Sequence, residues 1–352
     1  MPVPLLDLRA QYESIRGDID AALQRVLESQ QFILGEEVNS LEREVAGYLG
    51  VSHAVGVASG TDALLLALRG AGVGPGDEVL VPSFTFFATA GAVVNVGARP
   101  VFVDIEPTGF GVDPARLEEH VTARTRALMV VHLFGQCVDV RPLQDLAQRH
   151  GWVLIEDAAQ AIGATLGESK AGSLGASGCF SFFPTKNLGA FGDGGLVATS
   201  DDDLAARLRR LRMHGEDAEY RHRVVGYNSR LDALQAAVLR AKLPHLDSWN
   251  SARRRNAQRY HESFQATGLC DGPQPPLRLP QELPDRRHVF HQYVIRAQRR
   301  DELRHFLQQR QIATGIYYPV PLHQQECFRE GVPSRLELPR AEEACGEVLA
   351  LP

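Results

Sequence analysis

The sequence predicts an α/β fold, a mostly parallel sheet buried between layers of helix, with a smaller α+β unit towards the C-terminal end. Two observations carry this. From residue 53 onward, short β-rich runs alternate with helical ones, and such alternation builds βαβ units around a parallel sheet. The β-rich runs are apolar on both sides, as in strands covered on both faces. At 352 residues the chain also exceeds what one compact core usually fills. A large domain, 1–247, and a smaller one, 248–352, are therefore expected.

The elements follow in order. In GEEVNSLEREVAGYLG, Val38, Leu41, Val45 and Leu49 recur at helical intervals, and Gly50 stands where a helix would end. HAVGVAS reads as a strand and TDALLLALRG as its helix. EVLVP is followed by a helix near FFATAGAVVNVG, and then by the strand PVFVD. ALMVVHLFG, RPLQDLAQRHG and WVLIED repeat the alternation. CFSFF and LVATS, joined through the glycine-rich GAFGDGG, extend the sheet as a hairpin-like element. Beyond them, LDALQAAVLRAKLPHLDSWNSARRRNAQRYHESF is helical but interrupted by Pro244. Thr267 to Pro284 is rich in Pro, Gly and polar residues and reads as a surface connection. FHQYVIRA, DELRHFLQQRQI and ATGIYYPVP then form the smaller unit. No internal repeat or low-complexity segment is visible.

Composition narrows the class. With 44% hydrophobic and 23% charged residues and a net charge of −6, the chain has the make-up of a soluble globular protein. Its densest basic run, Arg253-Arg254-Arg255, reads as a solvated helix face, so nucleic acid is not an expected partner. No apolar run approaches the roughly 20 residues of a membrane helix, and the charged N-terminus lacks a signal-peptide core. Five widely spaced cysteines, with no CxxC pair, suit free thiols in a reducing compartment. A cytoplasmic protein is expected.

The chemistry gathers at strand ends. Glu156-Asp157 close the strand WVLI, and ligands in open α/β sheets bind beyond the carboxyl ends of strands. Lys186 follows the next apolar strand and precedes Gly189, Gly192, Gly194 and Gly195. Taken singly, such an Asp is more often a helix cap and such a Lys is more often solvated. Together they suit pyridoxal phosphate. An acid keeps the ring nitrogen protonated so that the ring withdraws electrons, and a lysine forms the Schiff base and then carries the proton. A lysine with an ordinary pKa of roughly 10.4 is a poor nucleophile, so the site must alter its surroundings.

Upstream, Ser59-Gly60-Thr61-Asp62 lies between HAVGVAS and its helix. Glycine permits close backbone approach, and a helix N-terminus attracts phosphate. Helix capping by Thr61 or Asp62 is the plain alternative. Ser181 would add a hydroxyl to the same phosphate. Phe84 and Phe86 share a face if PSFTFF is extended; either is able to stack on a flat ring, although taken alone both read as core. Competing motifs fail on detail. GAGVGPGDE lacks the offsets of GxGxxG, and neither a Walker loop nor GxSxG occurs. The His288–His291 pair has no third ligand beside it, so no metal is expected.

GVASGTDALLLAL, GDEVLVPSFTFFATA, PVFVDIEP, VVHLFGQ, VLIEDAAQAIGA, FSFFPTKNLGAFGDGG and GYNSRLDALQAAVLRAKL resemble the DegT/StrS sugar aminotransferases, from VPLLDLRAQY to the closing LALP. The resemblance implies an aspartate-aminotransferase-type fold (fold type I), with a mostly parallel seven-stranded sheet in its large domain, working as a homodimer. It implies that Lys186 is the Schiff-base lysine, that Asp157 binds the ring nitrogen, that Gln160 contacts the ring or its oxygen, and that Phe86 stacks on the ring. Gly60, Thr61 and Ser181 become phosphate ligands, joined by Asn228 reaching across from the other subunit.

The implied reaction has two halves. An amino donor, L-glutamate in most members, converts pyridoxal 5'-phosphate to its amine form, and the amine then passes to a keto sugar on a nucleoside diphosphate. NSRLDALQAA looks more like members acting on 3-keto sugars than on 4-keto sugars, which stay as the alternative. Tyr317, in GIYYPVPLH, stands where many relatives carry histidine, and Phe183 stands where many carry tyrosine. The resemblance implies that both lie towards the sugar, as do Tyr318 and His323. The chain stops at Ala350-Leu351-Pro352, short of a last helix such proteins normally have. Related dehydratases replace the lysine with histidine, so Lys186 argues against that chemistry. A purely regulatory role would need a DNA-binding surface, which an acidic chain with no basic recognition helix does not offer, and a mere binding module would have no need of Lys186 and Asp157.

Overall fold

The computed structural model describes residues 2–331 and 336–352. Its centre is a seven-stranded sheet of β1 (His53–Val57), β2 (Glu78–Pro82), β3 (Arg99–Val103), β4 (Thr125–Val131), β5 (Val153–Asp157), β6 (Ser177–Ser181) and β7 (Gly195–Thr199). The strand order is β1-β7-β6-β5-β4-β2-β3. Neighbours from β6 to β3 are parallel, whereas β7 is antiparallel to both β6 and β1. Strands β1 to β6 therefore all point the same way, and only β7 is reversed. The expected mostly parallel sheet and its hairpin-like β6–β7 element are both present.

Side chains alternate between two apolar layers, as strand pleating requires. Val79, Val81, Ala127, Met129, Ile155 and Val197 enter one cluster, while Leu80, Leu128, Val130, Leu154 and Leu196 enter the other. Helices cover both layers. Before the sheet come α1 (Leu8–Ser14), α2 (Arg16–Ser29) and α3 (Glu36–Leu49), the last ended by Gly50 at a left-handed φ of 76°. Between and after the strands come α4 (Gly60–Gly70), α5 (Ala88–Asn95), α6 (Arg141–His150), α7 (Asp202–Leu211) and α8 (Ala233–Lys242). Helices α4, α5 and α7 supply the first layer, and α3, α6 and α8 the second. Each fully buried leucine of α4 (Leu66 and Leu68 among them) contributes roughly 1.5–3 kcal/mol.

Pro244 divides the predicted long helix as expected. Residues Leu243–His245 form a 3-10 turn, and α9 (Leu246–Gln265) continues beyond it. The C-terminal part holds an antiparallel sheet of β8 (Leu277–Arg278), β9 (Tyr293–Ala297) and β10 (Val348–Leu351). Helices α10 (Arg300–Gln309) and α11 (Pro339–Glu347) accompany it. Val294, Ala341, Ala344 and Val348 join the first layer of the main core, so this part is seated on the large sheet. The N-terminus is tied to it too, through Val3 bonded to Gln311 and Ala313. Among the described residues, no helix is long and apolar enough to cross a membrane.

Candidate active site

Because β1 to β6 run in one direction, their carboxyl ends share one edge of the sheet. Ser59 and Gly60 follow β1, Ser83 follows β2, Asp157 ends β5 and Ser181 ends β6. The reversed β7 starts at that same edge, which brings the loop carrying Lys186 there.

Glu156 and Asp157 are consecutive strand residues and so face opposite layers. Glu156 is wholly buried and committed to structure. Its carboxylate accepts from the backbone N–H of Gly172 (2.7 Å), Leu174 (2.6 Å) and Gly175 (2.6 Å), and lies 2.8 Å from His132 Nε2. Asp157 faces the other way. It accepts from Thr89 Oγ1 at 2.8 Å and from the Ala159 N–H at 3.2 Å. Although it is 5% exposed, no Lys, Arg or His lies within ion-pair distance among the described residues. Burial pushes its carboxyl above the ordinary aspartate range, opposed by Thr89, Ala159 and the nearby charge of Lys186.

Lys186 sits on a loop fixed at several points. Its own N–H bonds the Phe183 carbonyl at 2.8 Å, and Ala190 N–H returns to the Phe182 carbonyl at 2.7 Å. Helix α8 grips the far side. Gln235 Oε1 accepts from Phe191 N–H at 2.8 Å, and the buried Lys242 Nζ donates to the Gly189 carbonyl at 2.6 Å. The Lys186 ammonium is brought down from 10.5 to about 8 by burial, with the Asp157 carboxylate pulling the other way.

The sign is therefore set. Lowering the pKa enlarges the neutral, nucleophilic fraction at neutral pH. Acylation of Lys186, located by peptide mass spectrometry, is expected to speed up about tenfold per pH unit and to level off near pH 8. An unshifted lysine would keep accelerating beyond pH 10.

The cradle forms at the start of α4. Ser59, and neither Thr61 nor Asp62, caps the helix, accepting from Asp62 N–H at 3.1 Å. Asp62 is engaged by the Ser229 hydroxyl at 2.8 Å. The N–H groups of Gly60 and Thr61 lie in the first helical turn, where no carbonyl of the same helix is available to them. A Cβ on Gly60 would stand 2.6 Å from Ser181 Cβ, so the glycine is what lets this turn meet the end of β6.

The aromatic expectation needs correction. PSFTFF is not extended past Pro82. It turns into α5, which separates Phe84 from Phe86. Phe84 is fully buried against Phe110 and Phe134, whereas Phe86 is 53% exposed with its ring 5.9 Å from that of Tyr318. Phe84 is core, and Phe86 is left facing outward. Gln160 accepts from Phe134 N–H at 2.8 Å and donates to the Tyr318 hydroxyl at 3.1 Å, which ties the C-terminal part to the sheet edge. Burial raises the Tyr318 phenol above its usual value. Tyr317 lines a cleft of about 470 Å³ with Thr185, Arg253, His291 and the N-terminal residues Leu5 and Leu6. Phe183 is half exposed on the Lys186 loop.

Other placements differ from expectation. His323 is buried, with Nδ1 2.6 Å from Ser83 Oγ and Nε2 3.2 Å from Glu342, so both ring nitrogens are engaged within the protein. It ties the end of β2 to α11, and burial lowers its pKa. Arg253 and Arg254 do not form a solvated face. They bond the carbonyls of Phe290, His291 and His288, while Arg255 is exposed. The histidine pair is used internally, His288 accepting from Phe290 N–H and His291 meeting Asn187 beside Lys186. Asn228 is exposed next to the buried Ser229. Sequence reasoning missed Thr89, which lies in the first turn of α5 and not at a strand end, and it gave the cap to Thr61 or Asp62 where Ser59 of the same cradle supplies it.

A half-buried lysine of lowered pKa, a buried unpaired carboxylate and a helix-start cradle on one edge of this sheet define the transferases of fold type I. The chain belongs to the DegT/DnrJ/EryC1/StrS aminotransferase family, whose sequence profile matches residues 13–352. It is 50% identical to a Geobacillus stearothermophilus protein named a pleiotropic regulatory protein, over 100% of this chain and 93% of that one. It is 48% identical to the UDP-N-acetyl-3-dehydro-α-D-glucosamine 3-aminotransferase of Acidithiobacillus ferrooxidans, over 99% and 92% of the two chains. Among solved structures, DesV of S. venezuelae in complex with a ketimine intermediate superposes with a TM-score of 0.94 at 48% identity, covering 100% of this chain and 93% of that one.

Proposed function

We propose that this aminotransferase uses pyridoxal 5'-phosphate to move an amino group from an amino acid, L-glutamate, to a nucleotide-linked 3-keto sugar. The observation that carries the cofactor is Asp157. A buried carboxylate without a cationic partner is costly unless a ligand brings the charge, and a protonated ring nitrogen is such a charge. Bound there, the cofactor supplies an electron-withdrawing ring conjugated to the reacting carbon. The residues do the rest. The Gly60 and Thr61 N–H groups and the Ser181 hydroxyl would hold its phosphate, and Phe86 and Gln160 would fix the ring. Lys186 Nζ, neutral in part near pH 8, would hold the cofactor covalently and would carry the proton in each half-reaction. In sum, the donor's amine and the acceptor's carbonyl oxygen exchange places.

The 3-keto assignment draws support from the 3-dehydro substrate in the name of the Acidithiobacillus relative. Tyr317, Tyr318 and Phe183 border the space left for sugar, while His323 supports it from within. A homodimer belongs to the same reading. Phe32, Ile33, Phe183, Phe191 and Val225 are large apolar side chains left exposed, and the partner subunit's Asn228 would complete the phosphate site. Five free thiols fit a cytoplasmic enzyme.

The test is spectroscopic. The holoprotein's visible band is expected to give way to that of the amine form on adding L-glutamate, and to return on adding a nucleotide-linked 3-keto sugar but not its 4-keto isomer. A band indifferent to glutamate removes the donor assignment. A return with the 4-keto isomer alone removes the sugar assignment.

A further inference from the structure

Thr89 lies in the first turn of α5, and its side chain is completely buried. Its Oγ1 is 2.8 Å from Asp157 Oδ2 and 3.2 Å from Thr85 Oγ1, itself only 2% exposed. The polarity of this chain is forced. An ionised carboxylate has only lone pairs, so Thr89 must donate to Asp157, and its own oxygen is then free to accept from Thr85. With both hydroxyls buried, the Thr89–Asp157 bond is shielded from solvent on the threonine side, and hydrogen bonds to a charged acceptor are the stronger kind. The Thr89 N–H also bonds the Phe86 carbonyl at 3.2 Å, so one turn of chain sets both the outward phenylalanine and the donor to Asp157.

We propose that Thr89, backed by Thr85, is a positioning residue that keeps Asp157 ionised and oriented towards the ring nitrogen of the cofactor. This rests on the role assigned to Asp157 above. Four other titratable groups face that carboxylate. They are Lys186 from its loop, His132 from the end of β4, Cys179 on β6 and Tyr318 from the C-terminal part. Cys179 and Tyr318 are held neutral by burial, and His132 is occupied by Glu156 and the Val138 N–H. Thr89 is therefore the one hydroxyl that donates directly to Asp157 among the described residues. A protonated Asp157 could no longer meet a protonated ring nitrogen as an ion pair, so losing the hydroxyl weakens cofactor binding most at low pH.

The experiment measures dissociation constants of pyridoxal phosphate by equilibrium dialysis from pH 5.5 to 9 on the full-length protein. Thr89→Val and Thr89→Ala are compared with Thr89→Ser, Asp157→Asn and the parent. At pH 7 the Val and Ala variants are expected to bind roughly tenfold more weakly, with the gap widening as pH falls and closing as it rises. Thr89→Ser should stay close to the parent throughout. A pH-independent loss, or none, in both Val and Ala overturns the proposal, since a purely structural role would displace the whole curve evenly. If instead Asp157→Asn binds like the parent at every pH, the reading of Asp157 itself is what fails.

Discussion

Lys186→Ala is expected to lower turnover by at least about 10⁴-fold while leaving the protein folded. The side chain is asked for two things, a nucleophile to hold the cofactor and a base to move the proton. General acid–base action alone is worth about 10²–10⁴-fold, and covalent anchoring adds to it. Nothing else described at the sheet edge replaces it. Asp157 is acidic and His291 is tied to Asn187. Tyr318 is held protonated by burial. Single-turnover kinetics with L-glutamate measure the loss. A variant retaining a tenth of the parental rate would remove Lys186 from the proton path. Lys186→Arg should fare no better, because an arginine stays charged at any working pH.

The other large effect falls on the neighbouring carboxylate and concerns stability. Glu156→Ala strips the acceptor from three backbone N–H groups and leaves His132 Nε2 without its carboxylate partner. Removing one member of a buried, hydrogen-bonded charged network costs about 3–5 kcal/mol, and the buried donors among those orphaned, the Gly172 N–H and His132 Nε2, are left unsatisfied. Equilibrium denaturation of the cofactor-free protein is expected to register that loss. Glu156→Gln, which keeps one acceptor oxygen, should recover part of it. Asp157→Asn should be close to neutral or stabilising in the same assay, since it relieves a buried carboxylate of its charge. Equal destabilisation by the two alanine and asparagine variants would contradict the division of labour between these adjacent residues.

How legible was this from the residues? The sheet was, because Val79, Val81, Met129 and Ile155 on one side and Leu80, Leu128 and Leu154 on the other leave runs apolar at every position. The end of Ala233–Lys242 was legible in Pro244, whose missing N–H and fixed φ break a helix locally. Lys186 and Asp157 were readable because strand ends are identifiable in sequence and ligands gather there. Whatever depends on pairing across long separations was not. Nothing local to His323 announces Ser83, and nothing in RRR announces the carbonyls of Phe290 and His291. Phe84 and Phe86 misled for a related reason. Their relation depends on where β2 stops, and a boundary shift of two residues decides which ring is core. Thr89 was hidden in a small-residue helix whose apolar neighbours advertise only packing.

The grip of α8 on Gly189 and Phe191 bears on reach. An amine that must let go of its partner, shuttle a proton and then recapture that partner needs travel, but its backbone is moored on both flanks, at Phe183 on one side and at Gln235 and Lys242 on the other. The travel is left to the four methylenes of one side chain. Stroke length is thereby fixed by covalent geometry, and a residue inserted anywhere between the moorings would introduce slack that no downstream contact could take up.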